Sequence, residues 1–147
     1  MTRRVRENGD LFDVPRPAAQ IPASMDYRPV LAGIVSQMLE QATTAGKDRY
    51  AVAAEMSRLA GKEISKYMLD AYSANSREEY NIPAWLMPLL EVACGSYLYS
   101  NWLAEVRGGR MMIGRDALAA ELGRLERQKG ELAREEKAIR ERLRRSL

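Results

Sequence analysis

The feature that most constrains this chain is a proline-free stretch near its end, from Arg115 to about Arg145. Apolar side chains recur in it at alternating steps of four and three residues, which is the heptad repeat of a coiled coil. The other side chains are mainly Glu, Arg, Lys and Ala, so the stretch predicts a helix of roughly 45 Å with one narrow apolar stripe. We call this stripe the seam; its d positions hold Leu118, Leu125, Leu132 and Ile139, and its a positions hold Leu122, Lys129, Glu136 and Leu143.

A helix with such a stripe needs a second surface to bury it. We expect copies of the same chain to supply that surface, in a homodimer or a higher homo-oligomer. The alternative is that the helix folds back onto its own domain. The polar residues Lys129 and Glu136 weaken the seam but can specify its register and strand number. The apolar pattern alone leaves the number and direction of the strands open.

The chain divides into an N-terminal arm, 1–28, a helical domain, 29–109, and a coiled-coil oligomerisation helix, 115–147. Closely spaced prolines predict that the arm is flexible. Within the arm, Leu11–Pro15 is a small apolar island. It either packs loosely on its own domain or docks on a partner.

Apolar residues in the 29–109 domain follow the three-and-four spacing of amphipathic helices, with no strand-like alternation. We therefore expect an all-α fold with a compact helical core. Leu59 is predicted to be buried, and Trp85 and Trp102 are expected to pack in the core rather than to stack on a ligand. The predicted helices are Val30–Thr44, Arg49–Leu59, a short helix beginning at Ile64 or Ser65, Ala84–Ala93 and Tyr97–Val106.

The second and third of these helices have the order of a helix-turn-helix unit. Asp48 is placed to cap the first helix, and Gly61 is placed to form the turn. Short polar and cationic side chains on the second helix suit base edges and phosphates in a major groove. The alternative is an ordinary helical hairpin with solvated charges. The candidate DNA-binding residues are Lys62, Ser65, Lys66, Tyr67, Asp70, Ser73 and Arg77.

The charge distribution gives conflicting indications for DNA binding. Residues 29–109 carry seven basic and nine acidic side chains, a net charge of −2, whereas residues 110–147 carry eleven basic and seven acidic, a net charge of +4. The basic tail favours polyanions, but the acidic balance of the core counts against strong non-specific DNA affinity.

The composition argues against enzymatic chemistry. The chain contains no histidine and one cysteine, Cys94, which excludes Ser–His or Cys–His nucleophile pairs, His-liganded zinc and an intramolecular disulfide. No glycine loop for phosphate is present. We expect no catalytic, metal or cofactor site and a buried thiol at Cys94. A weaker alternative is a nuclease that uses Asp70, Glu78 and Glu79.

Membrane insertion and secretion are also not expected. No segment approaches the roughly 20 apolar residues of a membrane span, and no apolar run follows the basic residues at the N-terminus. We expect a cytoplasmic protein.

Five runs between about Asp10 and Arg127 carry a resemblance to a known family. These runs are R-Y-x-V-A-A-x-M-S-R-L-A-G (Arg49–Gly61), I-S-K-Y-M-L-D-A-Y (Ile64–Tyr72), L-F-D-V-P-R-P (Leu11–Pro17), S-N-W-L-A (Ser100–Ala104) and R-G-G-R (Arg107–Arg110). They resemble small early-region proteins of Mu-like transposable phages and their prophages. This resemblance implies a phage setting in a bacterial host cell and DNA as the partner class, because such proteins are described as DNA-binding or regulatory.

The sequence thus predicts a DNA-binding regulatory or accessory protein that binds double-stranded DNA and self-associates through its last helix. The alternative function is a protein-binding adaptor that contacts a host or phage protein through the Leu11–Pro15 segment or the core. The acidic balance of the core suits this alternative.

Overall fold

The computed structural model describes residues 14–147. In this range the chain forms six α-helices and no strand, which confirms the predicted all-α fold. A single turn of 3-10 helix, Ala84–Leu86, precedes the fourth α-helix. The helices are α1 (Arg28–Thr44), α2 (Arg49–Ala60), α3 (Lys66–Ser73), α4 (Met87–Cys94), α5 (Leu98–Val106) and α6 (Arg115–Arg145).

The boundaries of α2 and α3 follow from their capping residues. Asp48 begins α2 as predicted, because its carboxylate accepts a hydrogen bond from the Ala51 backbone N–H at 2.8 Å. Gly61 ends α2 in the left-handed conformation, with φ +70°, which glycine adopts without the steric cost that other residues pay. Ser65 begins α3, since its hydroxyl accepts from the Met68 N–H at 3.1 Å.

The core lies among α1–α4, and the inward stripe of α1 is its largest contribution. Leu69 of α3 is fully buried within it. The prediction for Leu59 was wrong, because Ala60, one turn after Met56, takes the inner position and leaves Leu59 exposed. The buried apolar residues from these helices and the turns between them are Ile34, Val35, Met38, Leu39, Ala42, Val52, Ala53, Met56, Ile64, Leu69, Ala71, Leu86, Met87, Leu90 and Ala93.

Glu91 connects α4 to α5. It is the only buried charged side chain among residues 14–147. Its carboxylate accepts hydrogen bonds from the Ser100 backbone N–H at 3.1 Å and from the Ser100 hydroxyl at 2.6 Å. These two bonds satisfy the buried charge and fix the start of α5 against α4.

The segment before α1 contacts α5. The Ala18 N–H donates to the Val106 carbonyl at 2.9 Å, and the Tyr27 ring meets the Trp102 ring edge-on, with centroids 5.3 Å apart. A Cβ atom at Gly108 would lie 2.5 Å from Pro17 Cδ, so this approach requires glycine. The described part of the arm that was predicted to be flexible therefore has defined partners. Residues 11–13 of the apolar island lie outside the described residues.

The chain divides into two compact units, of which the first ends at Arg110 and the second comprises Met111–Leu147. The second unit contains α6, a continuous helix of 31 residues in which no residue is buried. The apolar side chains of its seam are between 48% and 73% exposed.

Candidate nucleic-acid interface

The candidate interface is built on α2, the Gly61 turn and α3. The Ser57 hydroxyl of α2 joins these parts, because it accepts from the Ile64 N–H at 2.8 Å and has the Ala53 and Ile64 carbonyl oxygens at 2.8 and 3.0 Å as acceptors. Ile64 and Leu69 anchor the turn and α3 in the core. This hydroxyl and these two apolar side chains therefore help to hold α3 against α2.

Asp70 organises the outward side of α3. One of its carboxylate oxygens lies 2.7 Å from Lys66 Nζ, and the other lies 2.6 Å from an Arg49 guanidinium nitrogen. Arg49 also donates to the Ser73 hydroxyl at 3.1 Å, and this hydroxyl donates to the Asp70 carbonyl. The hydrogen bond from Lys66, followed by that from Arg49, lowers the pKa of Asp70, and Asp70 raises the pKa of Lys66.

Lys66 also lies beside two exposed tyrosines. Its Nζ is 5.7 Å from the centroid of the Tyr50 ring and 5.8 Å from that of the Tyr67 ring, within the range of a cation–π contact. Tyr67 is 74% exposed. Lys66, Tyr50 and Tyr67 thus present a cation and two aromatic rings to solvent.

Lys62 forms a second pair of this kind with Trp85. The Lys62 Nζ lies 4.6 Å from the Trp85 ring centroid, and Trp85 is 49% exposed. The prediction that both tryptophans pack in the core was therefore wrong for Trp85, because Leu86 and Met87 next to it face inward and turn its ring outward. Trp102 does pack against the core, as predicted.

The other candidates have different surroundings. Ser65 caps α3, so Ser65→Ala should cost about 1 kcal/mol of stability in addition to any effect on DNA binding. Arg77 lies in the connection after α3, where it lines a shallow cleft with Asp26, Arg28 and Glu78.

The structure brings together four of the predicted residues, Lys66, Tyr67, Asp70 and Ser73, within one helix. Sequence reasoning missed Arg49 and Tyr50 as neighbours of this group, and Trp85 as the neighbour of Lys62. The ion pair between Arg49 and Asp70 forms because α2 packs against α3. Since the two residues lie on different helices, the residue spacing within a single helix does not predict it.

The predicted oligomerisation residues all lie on one exposed stripe of α6. These are Leu118, Leu122, Leu125, Lys129, Leu132, Glu136, Ile139 and Leu143. Ion pairs within α6 join Glu121 to Arg124 at 2.5 Å and Glu136 to Arg140, and all four side chains remain about half exposed or more. None of the faces of α6 is buried in the single chain.

The described residues show few features of other chemistry. Cys94 is partly buried, and burial raises the pKa of its thiol to about 11, so the thiol is protonated at neutral pH. Within residues 14–147 no three His, Cys, Asp or Glu side chains group in a way that could hold a metal ion. None of the helices in this range is long and apolar enough to cross a membrane.

Comparison of the chain with protein-family models, with curated proteins and with solved structures found no match.

Proposed function

We propose that this protein is a DNA-binding regulatory or accessory factor of a Mu-like phage or prophage, and that it acts as a homo-oligomer. The observation that carries the DNA proposal is the outward surface around α3. There Lys62 lies beside the exposed ring of Trp85, and Lys66 lies beside the exposed rings of Tyr50 and Tyr67. The phage setting comes from the sequence resemblance alone.

On this proposal α3 enters the major groove. Its eight residues span roughly 12 Å, and a glycine turn leads into it from α2, as in helix-turn-helix readers. Lys66 and Lys62 contact phosphates, and Tyr67 reaches the groove. Asp70 orients Lys66 and Arg49, but its negative charge also lowers the attraction of this surface for phosphate.

Self-association compensates for the weak binding of a single α3 to DNA. Burial of an exposed leucine or isoleucine contributes roughly 1.5–3 kcal/mol, and six such side chains line the seam of each α6. Part of this free energy is spent on the loss of translational and rotational freedom. Two linked copies of α3 then bind one DNA molecule with greater avidity than either copy alone.

The test is fluorescence anisotropy of labelled duplex DNA over a range of salt concentrations. A Lys62→Ala/Lys66→Ala variant should bind more weakly, and its log–log salt slope should fall by about 2, one for each lost phosphate contact.

The matched control is Lys137→Ala/Arg144→Ala, which removes the same charge from positions of α6 outside the seam. It should change affinity less. If the Lys62/Lys66 variant equals wild type in affinity and salt slope, or if the two variants lose the same affinity, α3 is not the reading helix.

The second candidate function is a protein-binding adaptor. The observation in its favour is the exposure of Tyr50, Tyr67 and Trp85, because aromatic side chains are enriched in protein interfaces. Affinity capture from host lysate with and without nuclease separates the two functions. A protein partner that survives nuclease supports the adaptor, whereas capture that depends on nucleic acid supports DNA binding.

A further inference from the structure

We propose that α6 pairs with α6 of one second copy in an antiparallel, two-stranded coiled coil whose twofold axis passes between Gly130 and Glu131. This inference rests on the proposed self-association and adds the direction, register and number of the strands. All eight seam positions then find a partner. The facing residues are Leu118 with Leu143, Leu122 with Ile139, Leu125 with Glu136, and Lys129 with Leu132.

A parallel, in-register pair is disfavoured by the polar seam residues. In parallel dimers a position faces its own counterpart, so Lys129 would face Lys129 and Glu136 would face Glu136 in the centre of the interface. At the flanking positions Glu121 would face Glu126 of the second copy. Like charges in direct contact oppose association. The attraction of Glu135 for Arg140 is the one favourable flanking charge pair in that arrangement.

The antiparallel pair removes each of these conflicts. Reversal of one helix places every residue at an a position opposite a residue at a d position. Lys129 and Glu136 therefore each face a leucine. Because their layers are adjacent, Lys129 of one copy lies beside Glu136 of the other, where opposite charges attract. The two residues are seven positions apart in one helix, about 10 Å along the axis, so they do not pair within one chain.

The flanking charges also fit this direction. At the residues that directly follow the d positions, Ala119 faces Arg140 and Glu126 faces Ala133. At the residues that directly precede the a positions, Glu121 faces Arg142 and Gln128 faces Glu135. No like charges face each other in these sets, and Glu121 and Arg142 attract twice, once at each end of the dimer. Glu121 is half exposed beside its helical neighbour Arg124, so it remains accessible to a second cation.

The ends of α6 support the same direction. The last turn carries Arg142, Arg144 and Arg145, whereas in the first turn the charge of Asp116 offsets that of Arg115. A parallel pair would gather six arginines at one end, whereas an antiparallel pair places each basic end near the Asp116 end of the other copy. Antiparallel helices also bring opposite ends of their dipoles together.

The test is disulfide cross-linking in the full-length chain with Cys94→Ala as background. Leu118→Cys and Leu143→Cys are matched variants, because each replaces one leucine near one end of the seam. In the antiparallel register the two cysteines face each other across the dimer, close enough to form a disulfide. In each variant alone the two copies of the cysteine lie roughly 35 Å apart.

Light scattering of the Cys94→Ala background and of each variant under reducing conditions comes first. A monomeric background protein would refute self-association itself, and a trimer or tetramer would refute only the two-stranded arrangement. For a dimer, we expect a covalent dimer after oxidation in the mixture of the two variants and none in either variant alone. Cross-linking of each variant with itself would establish a parallel pair. The absence of cross-linking in all three samples would refute the assigned register.

Discussion

The hydroxyl of Ser57 offers a quantitative test of how α2 holds α3. In Ser57→Ala the Ile64 N–H loses its acceptor at 2.8 Å, and the Ala53 and Ile64 carbonyl oxygens lose a nearby donor. A partly buried N–H left without a partner costs about 1–3 kcal/mol. Alanine regains about 0.5 kcal/mol in helix propensity. The variant should therefore lose about 0.5–2.5 kcal/mol of unfolding free energy.

Urea denaturation followed by tryptophan fluorescence measures this loss in the right part of the chain, because Trp85 and Trp102 both precede Arg110, where the first unit ends. The midpoint should fall while the m-value stays unchanged. Thr44→Ala is the control, since the Thr44 hydroxyl bonds only the carbonyl four residues earlier, that of Glu40, at an exposed site. It should change stability by no more than about 0.5 kcal/mol. Equal effects of the two variants would refute the role given to Ser57.

Three further predictions concern charge and helix propensity. Because its two cationic partners lower the pKa of Asp70 in the folded state, the carboxylate stabilises the fold above its unfolded pKa of about 3.9, and this stabilisation is lost as pH falls through the folded value. The stability difference between wild type and Asp70→Asn, measured by urea denaturation, should be constant above about pH 5 and shrink below about pH 4; a difference independent of pH would contradict the ion pairs. Gly123→Ala and Gly130→Ala lie outside the seam with no close contact at an added Cβ, so each should stabilise α6 by about 1 kcal/mol in thermal unfolding followed by circular dichroism. A loss of stability would show that these glycines are needed at an interface. Glu121→Arg should weaken the antiparallel dimer in sedimentation equilibrium, because an attractive pair becomes repulsive at each end, and added Arg142→Glu should restore it. A stronger dimer from Glu121→Arg alone would indicate parallel strands.

Local sequence signals predicted the helices well. The α6 bounds match the prediction because Arg115–Arg145 contains no proline and keeps one heptad register throughout. The ends of α2 follow from Asp48 and Gly61, whose effects depend only on neighbouring backbone. Such features are readable without knowledge of the tertiary structure.

Features that depend on contacts between distant segments were not predictable in this way. The bond from Ala18 to Val106 and the ion pair from Arg49 to Asp70 each require the packing of separate elements. The hydrophobicity of Trp85 predicts a core position. The residue is exposed because it lies in a 3-10 turn whose geometry directs Leu86 inward and Trp85 outward. The Ser65 hydroxyl is different, because it caps the N-terminus of α3 through a local bond to the Met68 N–H, which the sequence could have indicated.

The central claim is that the seam of α6 is buried by another copy of the chain, and sedimentation equilibrium of the full-length protein tests it most directly. Wild type should sediment as a dimer whose dissociation shifts with concentration, and Leu122→Glu/Leu125→Glu should sediment as a folded monomer, because the new carboxylates would face Ile139 and Glu136 of the second copy. A wild-type protein that stays monomeric at high concentration, or a variant that associates as wild type does, would contradict the claim.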